Sequence, residues 1–100
     1  MVKHIVMWKL KEEAEGHSKK ENIATMKSKL EGLKSSIPQI VELEVGIQME
    51  VSETASDVVL FSSFKDKEGL EIYQKHPEHQ KVAGFIRSIV SERKIVDYEV

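Results

Sequence analysis

The chain has no cysteine, which excludes disulfide staples, a thiolate nucleophile and any cysteine-based zinc site. A domain of this size working outside the cell ordinarily needs such staples, so their absence points to a reducing cytoplasm. Only two prolines and five glycines occur, and they do not cluster. With no Pro/Gly-rich linker, repeat or low-complexity tract to divide it, the chain is expected to form one domain over residues 1–100. Long hydrophobic runs are also missing. The start, Met1-Val2-Lys3-His4-Ile5-Val6-Met7-Trp8-Lys9, lacks the uninterrupted apolar core of a signal peptide. Nothing approaches the roughly 20 apolar residues that span a bilayer, so a soluble, unprocessed chain with no membrane partner is expected. There is no excess of positive charge: 15 Lys and Arg against 17 Asp and Glu give a net charge of -2. Such a surface offers no long-range attraction to phosphate backbones, and no nucleic-acid partner is expected. No Gly-rich phosphate loop, Gly-x-Ser-x-Gly elbow or nucleotide fingerprint occurs, and no cofactor is expected.

What remains is a globular balance, 40% hydrophobic and 32% charged, too rich in Ile, Val and Leu for disorder. Its periodicity is informative. Residues 2 to 10 alternate, with Val2, His4, Val6, Trp8 and Leu10 on one side and Lys3, Ile5, Met7 and Lys9 on the other, which predicts a strand. Ser18-Lys19-Lys20-Glu21 reads as a capping box opening a helix. Ile23, Met26, Leu30, Leu33 and Ile37 form that helix's apolar stripe, and Ile37-Pro38 stops it. Alternation returns from Val41 to Val51, where Gly46 suggests a bulge. After the turn-like Ser52 to Asp57, the run from Val58 to Phe64 predicts a strand that is apolar on both faces. Asp66 can cap a short helix carrying Leu70 and Tyr73, ending at His76-Pro77, with Pro77 in the first turn of a second helix. Val82, Phe85, Ile86, Ile89 and Val90 form the second helix's stripe, and a last strand is expected over Lys94 to Val100.

The order β-α-β-β-α-β predicts an α+β fold, an antiparallel sheet with its helices on one face. Two helical stripes cover only that face. The other would expose Ile5, Met7 and half of the set from Val58 to Phe64, which implies a homodimer in which a second copy covers it. Glu42 and Glu44 would then need partners, for which Lys3 and Lys9 are candidates.

The opening Val2-Lys3-His4-Ile5-Val6 to Leu10-Lys11, the segment Tyr73-Gln74-Lys75-His76-Pro77-Glu78-His79 and the ending Ile95-Val96-Asp97-Tyr98 resemble the stress-responsive A/B barrel, or Dabb, family. The resemblance spans nearly the whole chain, and Tyr-x-x-His-Pro-x-His is its most specific part. It implies a dimeric α/β barrel of ferredoxin-like subunits. Function within the family is less uniform than fold. Many members are small stress-associated proteins, while a plant branch contains polyketide cyclases that close a linear polyketide by aldol condensation with a histidine base and a tyrosine. The resemblance places those roles on His79 and Tyr73, with His4 lining the same cavity. Monooxygenases occur in a related class of dimeric barrels, so oxidative chemistry stays open by analogy.

The residues themselves allow such a site. His79 precedes Val82, Ala83 and Ile86 by three, four and seven positions and so shares the inward face of its helix. Tyr73 follows Leu70 by three, and His4 is in register with Val6 and Trp8. These groups would converge on a pocket lined by His4, Trp8, Val82 and Ile86 and suited to a small hydrophobic ligand. A neutral imidazole, with a reference pKa near ~6.5, can act there as a base. Buried His and Tyr side chains also commonly do no more than bond backbone groups at element ends. Either a ligand-binding dimer without turnover or an enzyme of cyclase-like chemistry fits this pattern. His76 and His79 form a His-x-x-His pair, but Pro77 puts His76 at a helix boundary as a cap. No further ligand set completes a zinc site, so no metal is expected. His17, beside Gly16, reads as a solvated loop residue. The same element order occurs in RNA-recognition modules, but here the second strand would present glutamates where phosphates approach.

Overall fold

In the computed structural model, which covers residues 1–100, the alternating opening forms strand β1 (Val2–Leu10). Its Val2, His4, Val6, Trp8 and Leu10 are all buried, while Lys3, Ile5, Met7 and Lys9 face the other way. A two-residue hairpin follows, β2 (Glu13–Ala14) and β3 (His17–Ser18). Helix α1 (Lys19–Ser36) leads to β4 (Ile40–Ile47) and β5 (Val58–Phe64). Helices α2 (Lys67–Lys75) and α3 (Pro77–Ile89) then precede the last strand, β6 (Val90–Glu99). The four long strands are antiparallel in the order β4-β5-β1-β6, with β1 central. This is an α+β, ferredoxin-like arrangement, and the buried apolar residues of sheet and helices form one cluster.

Local chemistry accounts for the helix boundaries. Ser18 Oγ accepts the Glu21 N–H at 3.2 Å while the Glu21 carboxylate accepts the Ser18 N–H at 3.0 Å, completing the capping box. Met26, Leu30 and Leu33 are buried along α1, and Ile37 caps its end just before Pro38. Ile23 is only half-buried. The inward position beside it belongs to Asn22, whose Nδ2 donates to the Ala14 carbonyl at 3.1 Å and ties the helix to the small hairpin. Asp66 caps α2 by accepting the Gly69 N–H at 2.9 Å.

Five details depart from the sequence-based expectation. The β2-β3 hairpin was not foreseen: Glu15 (φ 54°) and Gly16 (φ 77°) both take left-handed conformations, as a tight two-residue turn requires, but two-residue strands are too short to show periodicity. His17 therefore lies in a strand, though still exposed, 3.6 Å from Glu21. Strand β4 stops at Ile47, which pairs with Val58 at the start of β5; beyond it no strand remains to pair with, and Met49 and Val51 are fully solvated. The register shift in β4 lies between Ile40 and Glu42 rather than at Gly46. Gly46 serves another need, because a Cβ there would lie 2.9 Å from Val59 Cγ1. Strand β6 begins at Val90, not Lys94, since Leu10 and Lys9 extend the pairing to Val90 and Glu92. Val90 thus ends α3 as its cap, with its N–H on the Ile86 carbonyl.

Asp57 closes the loop between β4 and β5. Its carboxylate accepts the Leu10 N–H at 2.8 Å and stands 3.5 Å from Lys19, and its N–H donates to the Trp8 carbonyl at 2.7 Å. Its own carbonyl accepts the Gln48 N–H at 2.9 Å.

The helices lie over the face of the sheet that carries His4, Val6 and Trp8. On the opposite face Ile5 aligns with Phe61 and Val96, Met7 with Val59, and Lys3 with Tyr98. Met7, Val96 and Tyr98 remain 38%, 50% and 43% exposed there. Lys3 stands 3.6 Å from Glu42, as expected, and Ser63 Oγ donates to the same carboxylate at 3.0 Å. Lys9 instead reaches the Glu53 carbonyl.

The capping box sets the start of the longest helix. Replacing Ser18 with Ala is expected to lower stability by about 1 kcal/mol in urea unfolding, with the native fold unchanged.

Candidate functional site

Between the inner face of the sheet and the helices lies a cavity of about 330 Å³. Strand β1 contributes His4, Val6 and Trp8 to its wall, and α1 and β5 contribute Leu30 and Leu60. Tyr73 enters from α2, while His79, Val82, Ala83, Ile86 and Arg87 line it from α3 and Val90 and Arg93 from β6.

The meeting of Tyr73 and His79 depends on the break between α2 and α3. On one continuous helix, residues six apart point about 120° away from each other. Here Pro77 starts a new helix and His76 Nδ1 accepts the Glu78 N–H at 3.1 Å, so the chain turns and the two rings come together. Their centroids lie 4.5 Å apart at an interplanar angle of 59°. Tyr73 also packs on Phe64 at 5.0 Å and meets His4 edge-on at 5.9 Å.

His4 is buried and held by its neighbour across the ladder: His4 and Asp97 are register partners, and Nδ1 lies 2.5 Å from Asp97 Oδ1. A carboxylate only accepts, so Nδ1 carries the proton and Nε2 is the ring's remaining polar atom. On the other side, Ser62 Oγ donates to the His4 carbonyl at 3.2 Å.

Burial governs the protonation of both rings at the centre. It pushes the Tyr73 phenol far above its ordinary range, which keeps the hydroxyl a donor. It also lowers His79 below the ordinary imidazole value, helped by the nearby charges of His4, Arg93 and Arg87. The Gln74 carbonyl pulls the other way but already accepts Gln80 Nε2 at 2.8 Å, and His79 Nδ1 is buried without completing a hydrogen bond. Trp8 Nε1 is likewise buried and unpaired. Two such orphans in one cavity wall are each costly, about 1–3 kcal/mol.

All six residues singled out in the sequence, His79, Tyr73, His4, Trp8, Val82 and Ile86, line this one cavity. Three polar groups beside them were not anticipated. Asp97 stood in the last strand and in the segment Ile95-Val96-Asp97-Tyr98 but was given no role at the site, because its pairing with His4 depends on a register that local pattern does not carry. Arg93 fell in a segment read as lying before the last strand, and Arg87 sits one position after Ile86, between members of the apolar stripe but not one of them. No group of three or more His, Asp or Glu side chains is spaced to hold a metal ion.

The family described as Stress Responsive A/B Barrel Domain matches residues 2–100. The chain belongs to that family. A dimeric protein of unknown function with a ferredoxin-like fold from Bacteroides fragilis is 30% identical to this A/B barrel domain, with a TM-score of 0.83 over 99% of this chain and 95% of that one. A Dabb family protein from Mesorhizobium loti is 24% identical, with a TM-score of 0.68 over 99% and 95%. The hydroxynitrile lyase of Passiflora edulis shares the A/B barrel fold at 17% identity, with a TM-score of 0.80 over 97% and 90%. No curated protein matches the chain. No helix of this A/B barrel domain is long and apolar enough to cross a membrane.

The lowered His79 has a consequence for stability. Above its ordinary value of 6.5 the ring is neutral whether the chain is folded or not. As pH falls below 6.5 the unfolded chain takes up the proton first, so stability is lost down to the lower folded value and then levels off. In urea unfolding between pH 7.5 and pH 5, the His79→Gln variant is expected to lose less stability than the wild type.

Proposed function

We propose that this A/B barrel domain is a homodimer that binds a small, largely apolar organic molecule in the cavity. The observation that carries this reading is the contact of Tyr73 and His79, two polar rings desolvated together in a wall otherwise built mainly from Val6, Leu30, Leu60, Val82 and Ile86. A pocket of this composition holds a ligand by its apolar body and orients it by a few polar tips.

The depressed pKa of His79 favours a second reading, catalysis of carbon–carbon bond formation of the aldol type. With Nδ1 sealed off, Nε2 of the neutral ring takes a proton from the carbon beside a ligand carbonyl. The Tyr73 hydroxyl donates to the enolate oxygen that forms. The enolate carbon then attacks a second carbonyl of the same molecule, and the resulting alkoxide recovers the proton from the His79 imidazolium. Asp97 acts through His4, fixing that ring's orientation beside Tyr73. The Passiflora protein, a lyase by name, supports the view that this scaffold can house catalysis.

The dimer rests on the uncovered face of the sheet, with Ile5, Met7, Val59, Phe61, Val96 and Tyr98, and on the Bacteroides relative, which is dimeric. The lack of cysteine suits a reducing cytoplasm, where we place the protein.

Two measurements test these readings. Against a panel of linear di- and triketide thioesters, His79→Ala and Tyr73→Phe are expected to lower turnover by about 100-fold or more while the thermal midpoint shows a native fold. Loss of stability alone, with no ligand or turnover at any concentration, would leave the two rings a purely structural role. Light scattering at micromolar concentration is expected to give twice the chain mass of 11.4 kDa, and Ile5→Glu, which buries a carboxylate in the apolar face, is expected to give the single-chain mass. A wild-type mass of one chain would remove the dimer.

A further inference from the structure

Arg87 and Arg93 are the only arginines in the chain, and both stand in the wall of the cavity. They come from different elements. Arg93 lies on β6, paired across the ladder with Trp8 and therefore on the inner side of the sheet. Arg87 comes from the last turn of α3, and its guanidinium folds back along the helix: a Cβ built on Gly84 would lie 3.8 Å from Arg87 Nη2. That direction leads toward His79, and the charges of both arginines reach that ring.

Neither arginine is part of an ion pair, although the chain carries 17 acidic residues. The carboxylates within reach of cations elsewhere are bound to Lys3, Lys19, Lys27, Lys81 and two histidines. Arg87 also complements the C-terminal end of the α3 dipole, but no such role applies to Arg93. Both residues are exposed, so water solvates the two guanidinium groups at the mouth of the cavity, and an anion entering there would meet two positive charges from different elements. The guanidinium fork matches a carboxylate in two parallel hydrogen bonds, a geometry that lysine does not offer.

We propose that Arg87 and Arg93 form an anion subsite at the rim of the cavity that takes the carboxylate of an amphiphilic carboxylic acid. The apolar part of that acid lies inward against Trp8, Val82 and Ile86, and its far end approaches Tyr73 and His79. This rests on the reading of the cavity as an organic-ligand pocket and narrows its ligand to acids rather than neutral compounds.

Octanoate and octanol are matched probes, equal in chain length and different in charge. Their affinities for the full-length protein, read by isothermal calorimetry, separate the two readings. The subsite is supported if the double variant Arg87→Gln/Arg93→Gln binds octanoate about tenfold more weakly, keeps its affinity for octanol and retains the wild-type thermal midpoint. High salt is expected to weaken octanoate binding to the wild type and leave octanol unaffected. The proposal is overturned if the double variant binds octanoate as tightly as the wild type, or if it loses both probes equally with its fold intact. If octanol binds the wild type and octanoate does not, the apolar pocket stands and the anion subsite falls. If neither binds, both fall together.

Discussion

Strand β1 lies between β5 and β6, and its period of two sends alternate side chains to opposite faces of the sheet. Everything of functional interest depends on that constraint. Val2, His4, Val6, Trp8 and Leu10 go to the helical side, where they supply both core and cavity wall; Ile5 and Met7 go to the other side, where they meet Phe61, Val96 and Val59. A slip of one residue would put His4 among the exposed apolar groups and Ile5 opposite the helices. The register is held at both ends. Asp57 binds the backbone at Trp8 and Leu10, and Met1 accepts the Val100 N–H at 3.0 Å beside the other end of the strand.

The cavity concentrates polar atoms where a core would ordinarily be apolar. His4 has Asp97 to satisfy it, whereas His79 Nδ1 and Trp8 Nε1 have no partner. A fold selected for stability alone would be expected to replace such groups with Leu or Phe. Their presence beside a phenol kept protonated by burial gives the cavity a mixed character: Tyr73 and His79 are both pushed toward their neutral forms, and two arginines stand in the same wall.

Much of this was legible in the sequence because local rules and the fold agree. The alternation of residues 2 to 10, the Ser18–Glu21 box, the Asp66 cap and the His76-Pro77 corner each carry their meaning within a few residues, and each forms as expected. The corner was especially informative, since it places Tyr73 and His79 on separate helices that can face each other. What escaped was non-local. The end of β4 is decided by where β5 begins, not by the alternation that continues to Val51. Likewise β6 starts early because Lys9 and Leu10 are available to pair with Glu92 and Val90. Asp97 and Arg93 acquire their places from the same pairing, so neither could be assigned to the site before the β1-β6 register was known.

The Asp57 junction also has a bearing on how such chains diversify. Because the Gln48 N–H donates directly to the Asp57 carbonyl, the loop from Met49 to Ser56 is closed at its base by a backbone hydrogen bond that does not involve the excursion above it. The segment is solvated, with Met49 and Val51 touching little else. None of its residues lines the cavity, so changes of length there are expected to add surface without touching the strand register or the interior.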